Sequence, residues 1–152
     1  MKLYLASIFF IASFFLGNGQ TIAEHYQTKD FDVAIFPKEY KLHGFEKRFT
    51  PTIEEVLQAE NALKMQLKGM KVSVLYEKPI IHKNLKNYRR QYFGIFGENG
   101  ERILFINAFW DDDFSYWLDN EVSVDDGGSY FWNIKYDIKK NSFKDFMVNG
   151  IT

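Results

Sequence analysis

The chain contains no cysteine. That excludes disulfides, thiolate metal sites, a cysteine nucleophile and lipid attachment to an N-terminal cysteine. Neither charge is in excess: 19 Lys and Arg stand against 20 Asp and Glu, a formal net charge of −1. A general nucleic-acid binder would carry a basic surplus, so nucleic acid is not an expected partner. Histidine is scarce. His25, His43 and His82 share no helix-face spacing and form no HExxH, so the sequence offers no histidine-based zinc site. There is no P-loop and no Gly-x-Ser-x-Gly elbow, and the serines carry no local sign of activation. No catalytic residue, metal ligand or cofactor is assigned from the sequence.

What is present is apolar and aromatic. Hydrophobic residues make up 46% and aromatic residues 18% of 152 residues, which suits one folded domain rather than a disordered chain. Lys2 followed by Leu3 to Leu16, interrupted only by Ser7 and Ser13, reads as a signal peptide. Gly17-Asn18-Gly19 supplies small residues before Gln20. Fourteen residues of helix reach roughly 21 Å, short of the roughly 30 Å hydrocarbon core. The expected division is therefore signal peptide 1–19, leader 20–49 with a possible short strand, and a single α+β domain 50–152. The mature chain would be secreted or periplasmic, without membrane insertion after cleavage.

Gln20 to Asp30 has no period and reads as a loose leader. Phe31 to Phe36 is a first strand or a packed arm. Thr50 to Gly69 is the clearest helix. Ile53, Val56, Leu57, Leu63 and Leu67 recur on one face, and Thr50 before Pro51 is the expected N-cap. Thr52 and Glu55 offer an alternative capping box. Strands are expected at Lys71 to Tyr76, Tyr88 to Phe96, Arg102 to Phe109, Ser129 to Ile138 and Ser142 to Asn149, with a short one at Val122 to Val124. The expected fold is α+β: one N-terminal amphipathic helix packed on a curved antiparallel sheet of four to five strands. That order is cystatin-like or NTF2-like, by fold analogy.

Asn99-Gly100 is the strongest hairpin signal, since both residues tolerate the positive φ of a type I′ turn. A two-residue turn there places Phe96 opposite Ile103, Gly94 opposite Phe105 and Tyr92 opposite Asn107, and Arg90 faces Phe109. Phe93 and Ile95 then turn to the helix. Arg90, Tyr92, Asn107 and Phe109 share the less apolar face, where hydrogen-bonding groups among rings make a candidate ligand wall.

The second half resembles a group of small exported bacterial proteins of unassigned function. The resemblance rests on Tyr88-Arg89-Arg90-Gln91-Tyr92-Phe93-Gly94, on Asn107-Ala108-Phe109, on Val124-Asp125-Asp126-Gly127-Gly128 with Lys135-Tyr136-Asp137, and on Val148-Asn149-Gly150. It implies an exported single domain and carries no catalytic residues across. The Gln-x-Val-x-Gly loop of cystatin inhibitors is absent, so inhibition is not implied.

Two charged stretches remain. Seven acids and no base fall within Asp111–Asp126, without EF-hand spacing, as a calcium candidate or as solvated turns. Lys78, His82, Lys83, Lys86, Arg89 and Arg90 form a basic stretch that suits an anionic group or pairs with those acids. Trp110, Trp117 and Trp132 invite sugar stacking, although Trp132 lies in an apolar stripe and reads as core. The expected function is an exported binding or interaction domain that uses the less apolar sheet face. Its partner would be an anionic small molecule, a glycan or a protein. The alternatives are an NTF2-like enzyme with an acid–base pocket (Asp125, Asp126, Arg90) and a structural cell-envelope component.

Overall fold

Two threonines compete for the helix start, and the computed structural model, which describes residues 21–70 and 78–150, shows the second in use. Helix α1 spans Ile53–Gln66, with Thr52 as its N-cap. The Glu55 amide donates to Thr52 Oγ1 at 3.3 Å, and the Thr52 amide donates back to the Glu55 carboxylate at 3.0 Å. This reciprocal box satisfies two donors that would otherwise go unpaired. Thr50 is occupied elsewhere: its hydroxyl accepts the Lys38 amide at 3.0 Å. Glu54 and Glu55 in the first turn and Lys64 in the last complement the helix dipole. A 3-10 turn, Leu67–Gly69, finishes the helix.

Among the described residues seven strands form one sheet: β1 (Glu24–Gln27), β2 (Asp32–Phe36), β3 (Arg48–Phe49), β4 (Arg89–Phe96), β5 (Arg102–Phe109), β6 (Phe131–Asp137) and β7 (Ser142–Val148). Their order is β1-β2-β4-β5-β6-β7, and β3 pairs with β4 beyond β2. The sheet is antiparallel except where β2 runs parallel to β4. The class is α+β, as expected, but the sheet has seven strands among the described residues where four to five were expected, and the helix follows three of them instead of leading the fold, because residues 24–49 add strands β1 to β3. β2 falls on the run 31–36 expected as a first strand or a packed arm, whereas β1 and β3 carry little signal. β1 is Glu-His-Tyr-Gln, a polar edge strand without alternation, and β3 is two residues long. β2 is buried on both faces, because Val33 and Ile35 pack in the helix-side core and Ala34 and Phe36 in the core on the other face. The expected signal peptide 1–19 and the expected strand 71–76 lie outside the described residues.

The β4–β5 register differs from the expected one by a residue. Phe96 pairs with Arg102 and Ile95 with Ile103. The connection is a five-residue loop closed by Gly97 N–H to Glu101 O at 2.9 Å, with an inner turn from Gly100 N–H to Gly97 O at 3.0 Å. Only Gly100 takes a positive φ, of 80°, so Asn99-Gly100 is not the type I′ pair. The Asn99 amide instead donates to the Glu101 carboxylate at 3.0 Å. A one-residue slip exchanges the faces of a strand. On β4, Arg90, Tyr92 and Gly94 therefore turn to the helix, and Phe93 and Ile95 turn away. Phe49, not Phe105, lies over Gly94, where an added Cβ would collide with its carbonyl.

Two cores result. On the helix face, Val33, Ile35, Leu104, Ile106, Trp132 and Tyr136 pack against Val56, Ala59 and Leu63. On the second face, Ala34, Phe36, Phe93, Ile103 and Phe109 pack under Leu42, Trp117 and Val122. Loops, not a helix, cover that second face.

Candidate functional site

The shifted register divides the expected ligand wall between the two faces. Arg90 pairs with Ala108, and Tyr92 with Ile106, on the helix side. Asn107 pairs with Gln91, and Phe109 with Arg89, on the other. The four side chains do not line one surface.

Arg90 is fully buried, and so is Tyr92. Arg90 Nε and Nη2 donate to the two Glu60 oxygens at 2.6 and 2.9 Å, a bidentate pair. Nη1 donates to the carbonyls of Leu85 at 2.6 Å and Tyr88 at 3.0 Å. The Tyr92 hydroxyl donates to Glu60 Oε1 at 2.6 Å. Burial is the largest single influence on the Arg90 pKa and acts to lower it, but the charge and hydrogen bond of Glu60, with Tyr92 and Asp32, together raise it above its ordinary value. Burial holds the Tyr92 phenol well above its usual range, and Glu60 adds to this. Each of the three guanidinium nitrogens of Arg90 donates inside the molecule. Glu60 is the residue that sequence reasoning missed. It stands four residues after Val56 and three before Leu63, so a carboxylate on the apolar face was the available signal of a buried cation opposite.

On the second face Gln91 does comparable work with an amide. Its Nε2 donates to Trp117 O at 2.7 Å and Asn120 O at 2.8 Å. Its Oε1 accepts from Val122 N–H at 2.9 Å and Asn107 Nδ2 at 3.0 Å. Asn107 also donates to Val122 O at 2.7 Å. The expected strand at 122–124 does not form, because side chains supply the partners a neighbouring strand would have given. Phe109 is 1% exposed beneath Trp117 and Phe114.

The basic stretch separates into two groups. Its arginines are paired, Arg90 with Glu60 and Arg89 with Asp32 (3.6 Å) and Asp112 (3.4 Å). Arg89 also lies over Trp117, and Asp32 bonds His25 at 2.6 Å. Lys78, Lys83 and Lys86 are exposed and make no ion pair among the described residues. They sit on a knuckle of two 3-10 turns, Ile81–Lys83 and Leu85–Asn87, anchored by buried Ile81 and by Arg90 on Leu85 O. The acidic stretch turns to the opposite side of the sheet, carried there by Trp117 and Val122. No group of three His, Asp or Glu side chains among the described residues gathers as a metal ion would require. The enzyme candidates do not converge, since Asp125 and Asp126 are exposed while Arg90 is enclosed with Glu60. A cavity of about 250 Å³ is bounded by residues 38–48, with Arg48 on its wall. That arginine is held by Gly94 O and Tyr40 O and lies over Phe93.

The tryptophans have three different fates. Trp132 and Trp117 are core, at 1% and 6% exposure. Trp110 is half-buried and packs beside Tyr130, which is 44% exposed. Their ring centroids are 5.6 Å apart at 52°. The pair is locked by Trp110 N–H to Tyr130 O at 2.9 Å. Tyr88 braces it edge-on, 5.6 Å from Trp110, and donates its buried hydroxyl to Ser129 O at 2.7 Å. Tyr130 closes the 3-10 turn Gly128–Tyr130 immediately before β6, where the chain meets solvent. Comparison with protein-family models, curated proteins and solved structures gave no match.

Proposed function

We propose that the protein is an exported binding module for carbohydrate, with no chemistry of its own, and that it makes contact through Trp110 and Tyr130. A pyranose presents an apolar C–H face with slightly positive hydrogens, which matches the negative face of an aromatic ring. Two rings held at an angle offer such a face and an edge. The observation that carries the reading is the bracing: Tyr88, itself fixed to Ser129 O, holds a partly exposed pair in place before any ligand arrives. Pre-ordered side chains bind without an ordering cost. Hydroxyl groups around the ring edge would meet the Asp111 carboxylate next to Trp110 and the Tyr130 hydroxyl.

Tryptophan fluorescence titration of the purified protein with neutral and acidic oligosaccharides tests this. Saturable binding is expected, weakened at least about tenfold by Tyr130→Ala at unchanged melting temperature. Failure of every sugar to bind, or binding indifferent to Tyr130→Ala, would remove the reading.

A further inference from the structure

The lysine knuckle and the aromatic pair belong to the same side of the sheet. Ile81 and Tyr88 both pack in the helix-face core, with Trp110 against it. The knuckle ends at Asn87 and the next residue is the brace, Tyr88. Lys86 is two residues from Tyr88, so their Cα atoms are at most about 7.6 Å apart. From Lys78 to Gly97 the chain has no acidic residue. The acids after Trp110 leave in the other direction: Asp112 pairs with Arg89, and the loop then packs on the second face. On the side of the sheet that carries the ring pair, three lysines thus make no ion pair among the described residues, and beyond Asp111 the acidic loop is drawn to the reverse side.

We infer that the carbohydrate is acidic, a uronate-bearing chain whose sugar ring stacks on Trp110 and Tyr130 while its carboxylates reach Lys86, Lys83 and Lys78. This rests on the carbohydrate reading above. A neutral glycan has no use for three unpaired cations beside the rings. A plain polyanion has no use for the rings. Repulsion from Asp111 and Asp113 directs the chain over the knuckle and away from the acidic loop.

Isothermal titration of the purified protein at low salt separates the possibilities, with three kinds of probe. The first is a set of uronate oligosaccharides (oligogalacturonate, oligoalginate, hyaluronate oligomers), the second fully methyl-esterified oligogalacturonate, and the third polyglutamate of matching charge. At least one uronate is expected to bind, more tightly than the ester and than polyglutamate. The triple change Lys78→Gln, Lys83→Gln, Lys86→Gln should weaken uronate binding roughly tenfold and leave any ester binding unchanged. Tyr130→Ala should weaken both sugars. If the ester binds as well as the uronate and the triple variant binds like wild type, the acidic assignment falls and the carbohydrate reading stands. If polyglutamate matches the uronates and Tyr130→Ala has no effect, both fall, as they do if no sugar binds.

Discussion

Arg90 and Gln91 are neighbours on one strand, equally buried, and point to opposite faces. Arg90 ties the sheet to a helix through a bidentate ion pair with Glu60. Gln91 ties the sheet to an irregular loop through three hydrogen bonds, with Trp117, Asn120 and Val122, and a fourth joins it to Asn107 on the next strand. The contrast lies in what each leaves behind when removed. A buried carboxylate stripped of its cation keeps a charge that no nearby water can solvate. A loop stripped of its amide keeps only neutral backbone groups, and a loop can open to let water reach them. The helix side is therefore brittle and the loop side forgiving, and neither polar cluster has a hand free for a ligand.

The largest effect should come from Arg90→Ala, which leaves Glu60 uncompensated and costs about 3–5 kcal/mol of stability. A urea midpoint near that of wild type would erase the contrast at once. Gln91→Ala should cost less, about 1–3 kcal/mol, since Val122 N–H and the Trp117 and Asn120 carbonyls lose partners together. Hydrogen exchange should then quicken at the Val122 amide while the α1 amides stay protected. Equal loss of protection on both faces would show that the two cores are one cooperative unit.

The same asymmetry has a pH signature. Tyr92 is neutral beside Glu60, and its pKa is raised well above the ordinary value by burial. The phenol ionises in the unfolded chain first, so its contribution is fully present below about pH 10 and is lost as pH rises beyond it. Tyr92→Phe should flatten the alkaline limb of the stability profile, at the expense of one hydrogen bond to Glu60. An unchanged limb would place the alkaline sensitivity elsewhere. The smallest effect belongs to Tyr130→Ala, which should stay within roughly 0.5 kcal/mol of wild type by thermal melt. A larger loss would make the outer ring part of the core.

The sequence was most legible where one physical signal acted alone. The helix face and the β6 stripe follow from periodicity, and both capping options were visible in Thr50 and Thr52. It misled where two local signals competed. Asn99-Gly100 favoured a two-residue turn, but Gly97 and Glu101 close a wider loop, and that one-residue difference exchanged the faces of β4. The candidate wall of Arg90, Tyr92, Asn107 and Phe109 was divided as a result. β1 was illegible because an exposed polar edge strand takes its structure from its neighbour. The aromatic pair was half legible: Trp110 stood out, but its partner lies twenty residues on and meets it only through the β5–β6 register.

The most direct test of the division between architecture and binding is a double-mutant cycle on Arg90 and Glu60, read by urea denaturation. Arg90→Met and Glu60→Leu should each destabilise strongly. Together they should cost less than the sum of the two, by more than about 1.5 kcal/mol, because no buried charge remains. Additivity within about 0.5 kcal/mol would mean the two side chains do not depend on each other, and Arg90 would return as a candidate for holding something else.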